Sequence, residues 1–224
     1  MSQTRWKKYA GLLGILLLFP LTFLVVFNSM EHRFDSLPYF GTHLALSGSE
    51  GEKDTLYYRL PPFRLTNQNG ELFPGDSLKG RVYLAAFFST NSPFISKISK
   101  RLLTANFRYR AEADISIVCF STDPTYDTPE ILSAYTHELK VSPPKFVFLT
   151  ATDSTDLYGF IRDAFLIEDP LNTATIWLVD GDGHLRGKYD GNKEEEIQRA
   201  MEDIALLKKE KDLALYRREK AGNK

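Results

Sequence analysis

The chain has 224 residues, 43% of them hydrophobic and 25% charged, with a formal net charge of −1. That is enough for one globular domain with a substantial core and extra segments, and so even a charge balance gives nucleic-acid binding no electrostatic support. A lone cysteine, Cys119, excludes a disulfide framework and an internal dithiol couple, and the four histidines His32, His43, His137 and His184 stand at no metal-ligand spacing.

Residues 1–9 form a basic tail carrying Arg5, Lys7 and Lys8. Residues 10–28 read as a transmembrane anchor, because 10–27 (AGLLGILLLFPLTFLVVF) is uncharged and almost wholly apolar. At about 1.5 Å rise per residue such a run spans a bilayer core. The preceding positive cluster keeps the N-terminus in the cytoplasm and places the rest on the periplasmic, extracytoplasmic side. Trp6 and Tyr9 suit an interfacial belt, and Pro20 is tolerated in a membrane helix. A cleaved signal peptide is the rival reading, but Asn28-Ser29-Met30-Glu31-His32 offers no Ala-x-Ala-like site. No cysteine follows the run, which disfavours a lipoprotein. Met30 and His32 sit just beyond the run, a pairing that chance readily supplies.

Residues 29–56 mix charge, glycine and serine without periodicity and are expected to be a tether. The domain is expected over 57–207. Its first element is a hairpin, 63–65 with 71–73, turning on Asn67-Gln68-Asn69-Gly70. The runs 81–89 (RVYLAAFFS) and 115–120 (ISIVCF) are near-continuously apolar, as strands buried on both faces must be. A helical pattern lies between them, from Ser92 to about Tyr109. Thr128-Pro129-Glu130 opens a second helix with an N-cap threonine and a first-turn proline. Next come a strand at 146–149, a short helix at 154–160, and strands at 173–180 and 184–189 joined by Gly181-Asp182-Gly183. A long charged helix follows from Lys193 to about Arg218, with Ile197, Met201, Ile204 and Leu207 as its docking stripe. Residues 208–224 are a charged C-terminal extension, expected to be a solvated helix face. The alternation implies parallel pairing with an antiparallel edge: an α/β, thioredoxin-like central mixed sheet flanked by helices, plus the N-terminal hairpin and the transmembrane helix.

The stretch Ser121-Thr122-Asp123-Pro124-Thr125-Tyr126-Asp127-Thr128-Pro129, with Tyr135 after it, resembles the signature of the Sco/SenC family. Phe146-Val147-Phe148-Leu149-Thr150, Asn69-Gly70 and Leu78-Lys79-Gly80 extend the likeness over roughly 57–207. Those proteins are membrane-anchored, thioredoxin-like copper chaperones of cytochrome c oxidase assembly. The resemblance implies a copper site built from a Cys-Pro-x-x-Cys segment and a distant histidine. The matching segment here is Ser92-Pro93-Phe94-Ile95-Ser96, and Asn172 takes the place of the histidine.

Cu(I) favours soft thiolate donors and then imidazole, so two hydroxyls and an amide are expected to bind neither copper nor another cofactor. Nor can they exchange disulfides. No catalytic role is expected. The bland readings are an N-cap at Ser92 followed by Pro93, a space-filling Ser96 and a capping Asn172. Asp123, Pro124 and Asp127 are expected to shape a turn and cap a helix. Cys119 is expected to be a small buried hydrophobe, and His184 exposed. The resemblance implies a non-redox module whose partner is a respiratory oxidase subunit or a ligand-bearing Sco-like paralogue. An active copper chaperone or thiol-disulfide oxidoreductase with an unrecognised site is the alternative, and a peroxidase-like enzyme ranks last for want of a cysteine near Ser92.

Overall fold

A computed structural model describes residues 36–42, 44–47, 53–93, 95–151, 154–169 and 174–222. These belong to one compact unit, Ser36–Lys224. The apolar run 10–27 lies outside the described residues, as do Met30, His32 and Asn172. Among the described residues no helix is long and apolar enough to cross a membrane.

A seven-stranded mixed sheet forms the centre of the domain. Strands β1 (Leu44–Ser47) and β2 (Lys53–Leu56) make a separate antiparallel pair. The central sheet contains β3 (Arg64–Asn67), β4 (Leu72–Pro74), β5 (Val82–Phe88), β6 (Ile115–Ser121), β7 (Phe146–Thr150), β8 (Thr175–Val179) and β9 (Leu185–Asp190). Their spatial order is β4-β3-β7-β6-β5-β8-β9. Strands β5, β6 and β7 run parallel, while β3 joins β7 and β8 joins β5 antiparallel. The helices are α1 (Ile95–Arg108), α2 (Pro129–Leu139), α3 (Ser154–Ala164) and α4 (Glu194–Gly222).

The apolar runs dictate this arrangement. Every residue of β5, β6 and β7 is buried, which requires cover on both faces. Leu84, Ala86 and Phe88 face one layer, with Ile98 and Leu102 of α1, Leu132 of α2, and Ile197, Met201, Ile204 and Leu207 of α4. Tyr83, Ala85 and Phe87 face the other, with Leu157 and Ile161 of α3 and Phe165 just after it. The expected hairpin closes as read. Asn67 Oδ1 accepts the N–H groups of Asn69 (2.9 Å) and Glu71 (3.0 Å), and Gly70 supplies the φ of +77° that the turn needs.

Three readings are corrected. Residues 29–56 are not an aperiodic tether throughout, because β1 and β2 pair within them and residues 36–40 dock on the domain. Phe40 N–H donates to the Leu185 carbonyl (2.9 Å), and its ring meets Trp177 edge-on. The extension is not wholly solvated, since Lys208 and Lys211 pair with Asp114 and Glu210 pairs with Arg186. His184 is half-buried rather than exposed, because Tyr39 and Tyr57 pack edge-on against its ring while Asp180 holds Nδ1 at 3.1 Å.

Candidate functional site: the loop after β5 and the signature loop

The C-terminal ends of parallel strands are where open α/β sheets build their sites. Here the loop after β5 carries Ser92 and Pro93, and the loop after β6 carries the signature, 121–129. Ser92 N–H donates to the Ser89 carbonyl (3.0 Å), and the Ser92 carbonyl accepts from Ile95 N–H (3.2 Å). Pro93 sits exposed in this turn, and α1 starts only at Ile95. Ser92 and Pro93 thus lie in the turn that leads into α1. Ser96 is the second residue of α1.

Asp127 joins the two loops. Its residue surface is 0% exposed. Oδ1 accepts Thr90 N–H (3.0 Å) and the Thr90 hydroxyl, and Oδ2 accepts the Ser121 hydroxyl (2.6 Å). Burial pushes its pKa up, opposed by the donated hydrogen bonds. Ser121 Oγ in turn accepts Asp123 N–H (3.0 Å). The Asp123 carbonyl accepts Asp127 N–H (2.8 Å) and its side chain accepts the Thr125 hydroxyl (2.7 Å). Thr122 clasps the Phe88 carbonyl with its N–H (2.6 Å) and hydroxyl (3.0 Å), while Tyr158 of α3 donates to the Thr122 carbonyl (2.7 Å). The signature is thus a brace that fixes the end of β5 and the turn bearing Ser92. Asp123 shapes a turn, as expected. Asp127 does more than expected, because it crosses to the other loop.

Thr128 caps α2 as read, accepting Ile131 N–H (3.5 Å) with Pro129 at the first turn. Tyr135 packs edge-on against Phe148 and its hydroxyl hydrogen-bonds Ser99 of α1 (2.7 Å), tying α2 to α1 one turn beyond Ser96.

Cys119 lies in mid-β6, opposite Ala86 and Phe148, and is 2% exposed. Desolvation pushes its thiol pKa far up, so the reactive thiolate is suppressed. In the native protein, a maleimide reagent is expected to leave Cys119 unlabelled over hours and to label it fully in denaturant. Rapid stoichiometric labelling of the folded chain would show a reactive thiol.

Among the described residues, no group of three or more His, Cys, Asp or Glu side chains stands together to hold a metal ion. The sequence reading missed Arg186, a cation whose side chain is only 4% exposed. It lies in an ordinary-looking hairpin strand, and its partners are up to 149 residues away in the chain.

A mixed thioredoxin-like sheet, with the signature loop braced beneath the turn after β5, defines the class of protein. The SCO1/SenC family model matches residues 54–208, and the chain belongs to that family. A SCO1 protein homolog of Bacillus subtilis (strain 168) is 29% identical over 158 residues, 66% of this chain and 82% of that protein. A SCO1/SenC family lipoprotein from Bacillus anthracis str. Ames is similar in structure, with a TM-score of 0.57 and 29% identity over 66% of this chain and 95% of that one. BsSco, a member of the Sco family of cytochrome c oxidase assembly proteins in which a disulfide switch was identified, gives a TM-score of 0.56 and 27% identity, covering 67% of this chain and 95% of that one.

The resemblance to copper chaperones puts the donor set to a chemical test. Ser92 and Ser96 offer hard, neutral hydroxyl oxygens, poorly matched to a soft cation. Cys119 is buried in the core layer on the α1 and α2 side of the sheet. Neither serine is the soft donor that Cu(I) prefers.

Proposed function

We propose that this is a membrane-anchored, extracytoplasmic Sco/SenC protein that works without copper and without thiol redox chemistry, as a partner or scaffold in cytochrome c oxidase assembly. The observation that carries the reading is the identity of the residues in the braced turn after β5, Ser92-Pro93-Phe94-Ile95-Ser96. BsSco has a disulfide switch. This chain has one cysteine in all. The family fold is present and the signature loop braces the turn after β5, so the surface that a partner would recognise can persist without the chemistry. The apolar run 10–27 with its basic flank supports the anchor and its direction.

The deciding experiment is a Cu(I) titration of the full-length protein against a chromophoric chelator. No stoichiometric retention is expected. Tight one-to-one binding would overturn the reading and favour a chaperone with another site. The variant Ser92→Cys/Ser96→Cys/Asn172→His is expected to gain Cu(I) binding, and its failure to do so would break the correspondence of these three positions with the family's ligands.

A further inference from the structure

Helix α4 outruns the domain on which it docks. Leu207 is its last buried residue, yet the helix continues to Gly222. Ala214 and Leu215 line a groove shared with Gly80 and Asp180. On another side, Leu213, Tyr216, Arg217 and Lys220 recur at i, i+3, i+4 and i+7, the spacing that aligns side chains in one stripe. Leu213 is 38% exposed and Tyr216 60%. Lys220 lies 5.6 Å from the centre of the Tyr216 ring. Among the described residues, the ion pairs of α4 stop at Lys211, so Arg217 and Lys220 keep their charge for something else. An apolar, an aromatic and two basic side chains on one helix face are what a bilayer surface takes: leucine and tyrosine at the acyl boundary, cations among the phosphates.

Charge and chain length name the occupant. Residues 213–224 hold Arg217, Arg218, Lys220 and Lys224 against Glu219 alone, in a chain whose net charge is −1. A second copy would bring like charges together, whereas an anionic lipid surface attracts them. The chain also enters the domain beside this helix. Leu37 N–H donates to Glu210, and Arg186 donates to both Glu210 and the Leu37 carbonyl. Lys220 lies about 15 Å along the helix from Glu210. Residues 28–35 link the apolar run to Ser36 and reach at most about 30 Å when fully extended. An anchor at 10–27 therefore keeps the stripe within reach of the bilayer surface.

We propose that Leu213, Tyr216, Arg217 and Lys220 lie against the anionic phospholipid surface of the anchoring membrane, an inference that rests on residues 10–27 being an anchor. The test is spin-label accessibility in full-length protein, held in nanodiscs of phosphatidylcholine with or without phosphatidylglycerol. The nitroxide is placed on Leu213→Cys or, on the groove side, on Leu215→Cys. Buried Cys119 stays unlabelled in the folded chain. In anionic discs, the ratio of oxygen to nickel-EDDA accessibility should be about threefold higher at 213 than at 215. Arg217→Gln/Lys220→Gln should weaken the surface contact about thirtyfold, from roughly fivefold per cation, and bring the ratio at 213 down to that at 215. With the chain retained in the disc, equal ratios at 213 and 215 would overturn the proposal. So would an unchanged ratio in phosphatidylcholine alone, or dipolar broadening between labels on two copies. Release of the chain from vesicles by alkaline carbonate would instead overturn the anchor, and this inference with it.

Discussion

Replacing Asp127 with alanine is expected to cost about 2–4 kcal/mol of folding stability, because three donors lose their acceptor and the buried ones cannot all recruit water. Thr90 N–H, the Thr90 hydroxyl and the Ser121 hydroxyl all converge on this one carboxylate. The loss reaches beyond stability, since Asp127 is what pins the turn bearing Ser92 to the end of β6. Hydrogen exchange at Thr90 N–H should therefore accelerate more than exchange within β5. Asp127→Asn keeps an acceptor for Thr90 but turns an NH₂ group toward Ser121, so an intermediate loss is expected in urea unfolding.

The variants also differ in pH dependence. Burial raises the Asp127 pKa in the folded state above its unfolded value. The folded protein then binds this proton more readily than the unfolded chain, so this contribution to stability falls as pH rises through the carboxylate range, from about 4 upward. Asp127→Asn cannot titrate and should lose that component of the slope. A wild-type urea midpoint that tracks the Asn variant at every pH would show that the carboxylate is not desolvated as described.

Why some of this was legible in the chain and some was not follows from the range of the forces. Strands β5 and β6 announce themselves because double-sided burial demands unbroken apolar runs, and Thr128-Pro129 announces α2 because capping is local. The signature stretch 121–129 marks the brace, but its main cross-link runs from Asp127 to Thr90, 37 residues earlier, and no local pattern encodes that. His184 reads as exposed until Tyr39 and Tyr57 are placed over it. The stretch 44–56 lacks the alternation that would mark strands, so β1 and β2 escape a reading based on periodicity.

Arg186 carries the other large effect. Its Nη1 donates to Asp180 (3.1 Å), and its Nη2 donates to Glu210 (2.8 Å) and the Leu37 carbonyl (2.8 Å). Its guanidinium lies 4.0 Å from the centre of the Tyr39 ring. Glu210 completes the clasp by accepting Leu37 N–H (2.8 Å). One side chain of β9 thus fastens residues 37–39 to α4. Arg186→Ala removes the cation that pairs with both Asp180 and Glu210, two partly buried carboxylates, a change expected to cost about 3–5 kcal/mol. Arg186→Lys keeps the charge but loses the planar fork, so part of the stability should return while the Leu37 contacts stay weak. Amide exchange separates this clasp from a simple ion pair: Leu37 N–H should lose protection in Arg186→Ala, whereas Phe40 N–H, bonded to the Leu185 carbonyl, should stay slower. If Leu37 remained protected in that variant, Phe40 against Trp177 would be sufficient to hold the segment, and the role of Arg186 would end at Asp180 and Glu210.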